Sequence, residues 1–312
     1  MNEPQVAGQQ LSGPVPGGDE AAVAAVLAFA GRPDGPDRPD RPAPAASRVA
    51  RLVALDFDGT LAPLVDDPSA SVMTAAARAA VDRLAALAAR PVPPGGDELR
   101  LALVSGRNLT DLAARSGVPA GTYLVGSHGA ETGRVTAHGV DAVPLRLTDA
   151  QAETLERLRE GLQDAVDGRR GAWVQDKPSA AVLHTRLSGP DDARAAAADA
   201  DAVAARLGLH AMHGKDVVEI AVLPTSKGIA VERLREELEE GDDRLRGLVL
   251  YAGDDTTDER AFEVLGPDDL GVKVGPGPTL ATERVADADA LAALLERLAD
   301  ALDQAHEDPH EG

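Results

Sequence analysis

Residues 52–64 read LVALDFDGTLAPL. An apolar run ends in two aspartates, Asp56 and Asp58, with Gly59 and Thr60 immediately behind them. A short continuous apolar run bounded by turn residues reads as a buried strand. Two like charges at its carboxyl end repel unless a cation sits between them. At average composition, the four fixed positions of Asp-x-Asp-Gly-Thr arise by chance in roughly one chain of this length in a hundred. The competing reading, an ordinary Asp/Gly turn, leaves the rest of the chain unexplained.

From residue 48 onward, strands alternate with helices. RVARLVALDFD is a strand, residues 71–90 a helix, LRLALVSG a second strand, LTDLAARSG a helix ended by Gly117, and TYLVGS a third strand. After about residue 220 the pattern resumes with a helix over 226–240, the strand GLVLYAG, a helix over 256–265, the strand LGVKVG and a helix near 289–303. Such alternation predicts a parallel sheet covered by helices on both faces, with chemistry at the carboxyl ends of the strands. Between them, QAETLERLREGLQDAVD and residues 190–207 read as helices, and AWVQDKP, AAVLHTRL and HAMHGKDVVEIAV as antiparallel strands. This predicts a small α+β unit inserted at 140–219, leaving a core of 48–139 and 220–303. Residues 1–47 hold the Pro/Asp/Arg tract GRPDGPDRPDRPAPAAS and are expected to form a disordered extension, though EAAVAAVLAFAG could form a short helix; 304–312 read as a disordered tail. Removing the extension is expected to leave stability nearly unchanged.

With 312 residues and 44% hydrophobic content, the chain can bury a real core. The net charge of -21 argues against nucleic acid, which demands a basic face. No cysteine is present, so thiolate ligation and disulfides are ruled out. The absence of a long apolar run and of a leader pattern predicts a soluble, cytoplasmic protein with no membrane contact. Arginine supplies 27 of the 31 basic residues. The four lysines, Lys177, Lys215, Lys227 and Lys273, therefore invite attention.

Three groups fall just past core strands: Asp56 and Asp58; Ser105; and Asp254, Asp255 and Asp258 in YAGDDTTDERAF. If those strands are neighbours, all three meet at one crevice. Convergent carboxylates with oxygen-only ligands suit Mg²⁺ together with a substrate phosphate. Beside such a cation Asp56 can attack phosphorus and Asp58 can move the proton. Gly59 permits the sharp turn. Thr60, Ser105 and Gly106 can cradle phosphate oxygens, and Lys227 in PTSKGIA, at a helix start, supplies positive charge.

DFDGT, VSGR, SKG and GDDTTDE, in that order, resemble the four motifs of the haloacid dehalogenase superfamily. The resemblance covers nearly the whole chain beyond residue 48 and implies a Rossmann-like α/β core with the α+β unit as its cap. It implies Asp56 as nucleophile, Asp58 as acid/base, and Ser105 and Lys227 as phosphate ligands. Mg²⁺ would be held by Asp56, the main-chain carbonyl of Asp58 and Asp254, with Asp255 or Asp258 behind. Within the superfamily the chain is most similar to the trehalose-6-phosphate phosphatase family. GSHGAE matches that family's Gly-x-His-Gly-x-Glu, VQDKPSAAVLHTR resembles its Glu-Asp-Lys and His-Tyr-Arg segments, and HGKDVVEIAV its Gly-Lys segment leading to Glu. These imply substrate contacts from Arg107, His128, Gly129, Glu131, Lys177, His184, Arg186, Lys215 and Glu219, a sugar-phosphate substrate, and functional coupling to a trehalose-6-phosphate synthase. Gln175, Thr185 and Ala221 depart from the family's usual Glu, Tyr and Arg. Other readings stay open: a phosphatase for a mannosylglycerate or sucrose phosphate, or a non-catalytic sugar-phosphate-binding domain. Intact Asp56, Asp58 and Lys227 argue against the last. A phosphomutase would need a bisphosphate activator and a different cap.

Overall fold

The computed structural model describes residues 19–31, 48–65, 67–93, 96–144, 146–223, 225–240 and 245–307. The chain runs through α1 (Asp19–Ala30), β1 (Arg48–Leu55), α2 (Ala75–Ala88), β2 (Glu98–Val104), α3 (Leu109–Ser116), β3 (Tyr123–Gly126), β4 (Glu131–Thr136) and β5 (Gly139–Val143). Next come α4 (Asp149–Val166), β6 (Trp173–Asp176), β7 (Ala180–His184), α5 (Pro190–Leu207), β8 (Ala211–Gly214) and β9 (Val217–Ala221). It ends with α6 (Lys227–Glu239), β10 (Leu245–Gly253), α7 (Glu259–Phe262), β11 (Leu270–Val274), β12 (Glu283–Val285) and α8 (Ala288–Glu307).

The larger sheet has the order β12-β11-β10-β1-β2-β3-β4-β5. Pairing is parallel from β12 to β3 and antiparallel through β4 and β5. Strand β1 lies at its centre and shows why its sequence is apolar throughout. Val49, Val53 and Leu55 pack against α2, α8 and α1 on one face, while Ala50, Leu52 and Ala54 pack against α6 and α7 on the other. A strand covered on both sides loses the alternation of a half-exposed one. The helix ends follow their residues: Thr74 accepts from the Ala77 N–H, Asn108 from that of Asp111, and Gly117, at φ 51, closes α3.

The second sheet, β6-β7-β9-β8, is antiparallel. Helices α4 and α5 cover one of its faces through Leu155, Leu158, Leu162, Ala181, Leu183, Ala196, Val218 and Ile220. The inserted α+β unit is thus present, with different bounds. Position 140 falls inside β5, which extends the core sheet, and 219 falls inside β9 of the smaller sheet. The β4–β5 hairpin escapes a hydrophobic reading because β5 is exposed along most of its length.

Three further expectations are corrected. Residues 19–30 of the presumed disordered extension form a docked helix, with Ala22, Val26, Phe29 and Ala30 buried. The Pro/Asp/Arg tract beyond Gly31 lies outside the described residues. The final helix runs on to Glu307, through the first part of the presumed tail. The helix expected over 256–265 shrinks to α7, because the residues before it wrap around the Asp258 carboxylate instead.

Candidate active site

Because β10, β1 and β2 are neighbours, the residues following them converge. Asp56 is buried, and its carboxylate accepts from the Lys227 ammonium at 2.7 Å and from the Thr60 hydroxyl at 3.1 Å. The same ammonium reaches Asp258 Oδ1 at 2.7 Å, and the Tyr251 hydroxyl donates to that oxygen at 2.6 Å. Asp258 Oδ2 accepts the N–H groups of Asp254 and Asp255, each at 2.9 Å. Asp258 is therefore a fully bonded post around which the loop after β10 is folded. Its motif-bound sequence position does not disclose this.

Oxygens of Asp56, Asp254 and Asp258 lie within 4.8 Å of one another. Three carboxylates against the single Lys227 ammonium leave a formal charge of -3 + 1 = -2 in this cluster. Burial pushes the Asp56 carboxyl well up, Asp258 and Asp254 add to the push, and Lys227 opposes it. The Lys227 ammonium is held above its ordinary value by Asp56 and Asp258 despite burial. An oxygen-only donor set with this surplus fits a hard divalent cation. Asp258 accepts two hydrogen bonds at each oxygen, whereas Asp56 accepts one at each, which leaves Asp56 and Asp254 as the side-chain donors with capacity. Asp255 stands outside the cluster: its Oδ1 accepts from the Thr257 N–H and hydroxyl, each at 2.7 Å, and so shapes the turn.

Gly59 adopts φ +83, and a Cβ there would lie 2.0 Å from Asp254 Oδ2. The glycine both makes the turn and leaves space for the acid. Lys273, assigned no role from sequence, is buried and donates to the Asp254 main-chain carbonyl, bracing the loop from β11.

Asp58 is clamped. Arg107 donates to both of its oxygens at 2.6 Å, and the Ser71 hydroxyl adds a bond of 2.7 Å. Arg107 is itself steadied by Asp111 at 2.6 Å. Ser105 is buried, with its hydroxyl accepting the Arg107 N–H at 3.1 Å. Asp56, Asp58, Ser105, Gly106, Arg107, His128, Lys227, Asp255 and Thr257 share one cleft of about 410 Å³.

His128 and its neighbours take up the left-handed region: Ser127, His128 and Gly129 have φ of 49, 54 and 106. Consecutive left-handed residues carry strain that tends to gather at functional sites. The turn brings the His128 ring against Gly106, where a Cβ would lie 2.6 Å from Cε1. Glu131 caps α3, accepting the Leu109 N–H at 2.7 Å and the Ser127 hydroxyl at 3.0 Å. It also lines a smaller cleft shared with Lys177 and Glu219 from the inserted unit.

Lys177 donates to both Glu219 oxygens at 2.9 Å. The inserted sheet meets the core at the smaller cleft, where this pair stands with Ser127, Ala130 and Glu131. The structure does not bring the other cap residues to either cleft. His184 bonds Gln175 at 3.1 Å, and Arg186 and Lys215 are exposed.

Burial, then the nearby Lys227 ammonium, lowers the His128 pKa below its ordinary 6.5. The folded chain thus resists a proton that the unfolded chain accepts. His128 contributes stability that is whole above pH 6.5 and lost as pH falls from there through the depressed value. In urea titrations between about pH 7.5 and pH 5, His128→Asn, which tolerates the left-handed backbone, is expected to lose less stability than wild type. Equal losses would mean that the folded imidazole is charged.

A buried aspartate just past a central parallel strand, with a lysine and paired acids on neighbouring elements, places the chain among haloacid dehalogenase-type folds. The structure of the Aspergillus fumigatus trehalose-6-phosphate phosphatase agrees: TM-score 0.63 at 22% identity, covering 89% of this chain and 97% of that one. Residues 54–289 match the trehalose-phosphatase family, and the chain belongs to it. The trehalose-phosphate phosphatase of Mycobacterium marinum is 34% identical over 224 residues, 71% of this chain and 53% of the relative. A bifunctional trehalose-6-phosphate synthase/phosphatase of Thermoproteus tenax is 34% identical over 254 residues, 80% of this chain and 32% of that protein. The chain spans about half the length of the first of these curated relatives. No helix among the described residues is long and apolar enough to cross a membrane.

Proposed function

We propose that the protein hydrolyses trehalose 6-phosphate to trehalose and inorganic phosphate. The observation that carries this reading is the buried Asp56–Lys227–Asp258 cluster at the cleft it shares with Asp58, Ser105 and Arg107, with the Lys177–Glu219 pair lining a second cleft against Glu131. Family membership supports the substrate. An Asp56 oxygen attacks phosphorus, the bond from phosphorus to the sugar oxygen breaks, and Asp58 delivers a proton to the departing alkoxide. Water then attacks the phosphorus of the aspartyl-phosphate, Asp58 takes its proton, and the Asp56 carboxylate is restored. Arg107 and Ser71 fix the Asp58 carboxylate for both transfers. Ser105 and Lys227 hold phosphoryl oxygens.

Asp56, Asp254 and the Asp58 main-chain carbonyl would hold Mg²⁺, which when bound supplies charge neutralisation at the phosphoryl oxygens. Lys177 and Glu219 bind sugar hydroxyls. The Thermoproteus tenax relative, which joins synthase and phosphatase in one name, supports functional coupling to a trehalose-6-phosphate synthase. Phosphate release from trehalose 6-phosphate, measured with Mg²⁺ and again with excess chelator, tests the reading. Release in the first assay and its loss in the second are expected. Turnover that is indifferent to chelation would refute the cation, and no turnover with Mg²⁺ would refute the substrate.

A further inference from the structure

The chain has a single tryptophan, and it is not in the core: Trp173 is 46% exposed on β6. Its position is set by the smaller sheet. Ala181, Leu183, Val218 and Ile220 point toward α4 and α5. Strand alternation therefore puts Trp173, Gln175, Val182, His184, Met212 and Glu219 on the opposite, helix-free face. The register pairs Trp173 with His184, Gln175 with Val182, and both Val182 and Met212 with Glu219. The Trp173 and His184 rings stack at 4.0 Å with their planes 6° apart. Since β6 is the edge strand, no further strand among the described residues covers the other side of the indole.

We propose that Trp173, braced by His184, is the platform for the sugar ring farther from the phosphate, and so a specificity-determining residue. The inference rests on the sugar-phosphatase reading above. An exposed indole face offers apolar area with little conformational freedom to lose, suited to the C–H face of a pyranose. Polar groups stand around it on the same face: the Gln175 amide bonded to His184, and the Lys177–Glu219 pair. The placement also has a direction. The Lys177 end of the sheet, with Ala180 and Ala221, lines the cleft shared with Ser127 and Glu131 of the core, and Trp173 and His184 stand at the opposite end of β6 and β7. A disaccharide phosphate anchored at Asp56 would meet the pair first and the tryptophan beyond it.

The test compares wild type, Trp173→Ala and Trp173→Phe on trehalose 6-phosphate and on acetyl phosphate, which has no ring. The ratio of the two kcat/KM values is expected to fall roughly tenfold in Trp173→Ala and to recover in large part in Trp173→Phe. A parallel fluorescence titration uses Asp56→Asn, in which Trp173 remains the sole indole. Trehalose 6-phosphate should shift the emission, whereas inorganic phosphate should not. An unchanged ratio, or emission blind to trehalose 6-phosphate in an enzyme that hydrolyses it, overturns the platform alone. If wild type hydrolyses acetyl phosphate but not trehalose 6-phosphate, the substrate reading fails. The platform is then judged by the same titration with sucrose 6-phosphate, and silence there overturns it too.

Discussion

Asp56→Asn is expected to reduce turnover of trehalose 6-phosphate by roughly four orders of magnitude or more, because an amide cannot form the acyl-phosphate link on which the proposed chemistry depends. The fold should survive. Burial and the neighbouring carboxylates raise the Asp56 pKa, so the ionised side chain is a net cost to the native state at neutral pH. A neutral isostere removes that cost, and Lys227 keeps Asp258 as its partner. The melting temperature of Asp56→Asn should equal or exceed that of wild type. Initial-rate assays together with calorimetry check both halves. Activity within tenfold of wild type would sink the nucleophile assignment, and a large drop in melting temperature would show that Lys227 depends on both acids.

The second large effect lies far from the chemistry. Deleting residues 1–31 should destabilise the protein on the order of 5 kcal/mol, lowering the melting temperature by roughly 10 °C or more. Helix α1 buries Val26 and Phe29 against the face that also receives α8. Its carboxyl end also supplies the main-chain oxygens of Phe29 at 2.9 Å and Gly31 at 2.6 Å to the buried guanidinium of Arg51. Without them Arg51 keeps Asp97 at 3.0 Å and little else to satisfy its donors. Phe29→Ala isolates the packing part and should cost roughly 3 kcal/mol. Thermal melts of both variants decide the matter; an unchanged melting temperature on deletion would mean that α1 is not docked in solution.

The parts of this molecule that could be read from sequence are those where one local rule suffices. Strand β1 announces itself because both faces are buried, and Asp56 and Asp58 because they directly follow its carboxyl end. The order of the motifs brought Ser105, Lys227 and Asp254 to the same crevice once β10, β1 and β2 proved adjacent. What escaped depends on partners remote in sequence. Arg51 interrupts an apolar strand for no local reason, and only its bonds to residues 29 and 31 account for it. The resemblance implies Asp255 or Asp258 behind the cation; that Asp258 gathers Lys227, Tyr251 and two backbone N–H groups shows only in the fold. Strand β5 is too exposed to carry a periodic signal, so the start of the inserted unit was misplaced. Glu131 was expected at the substrate, and its pairing with the Leu109 N–H could not be foreseen without the turn at 127–129.

Both sheets finish in short strands: β12 has 3 residues, β5 has 5, and β6 and β8 have 4 each. Among the described residues none has a strand paired along its outer side, and each carries a charge or a histidine: Glu283 and Arg284, Asp141, Asp176, and His213. Edges so brief and so polar offer a poor template for another copy's strand. Together with a chain charge of -21, they set a barrier against runaway self-association that the apolar central strands, exposed during folding, would otherwise invite.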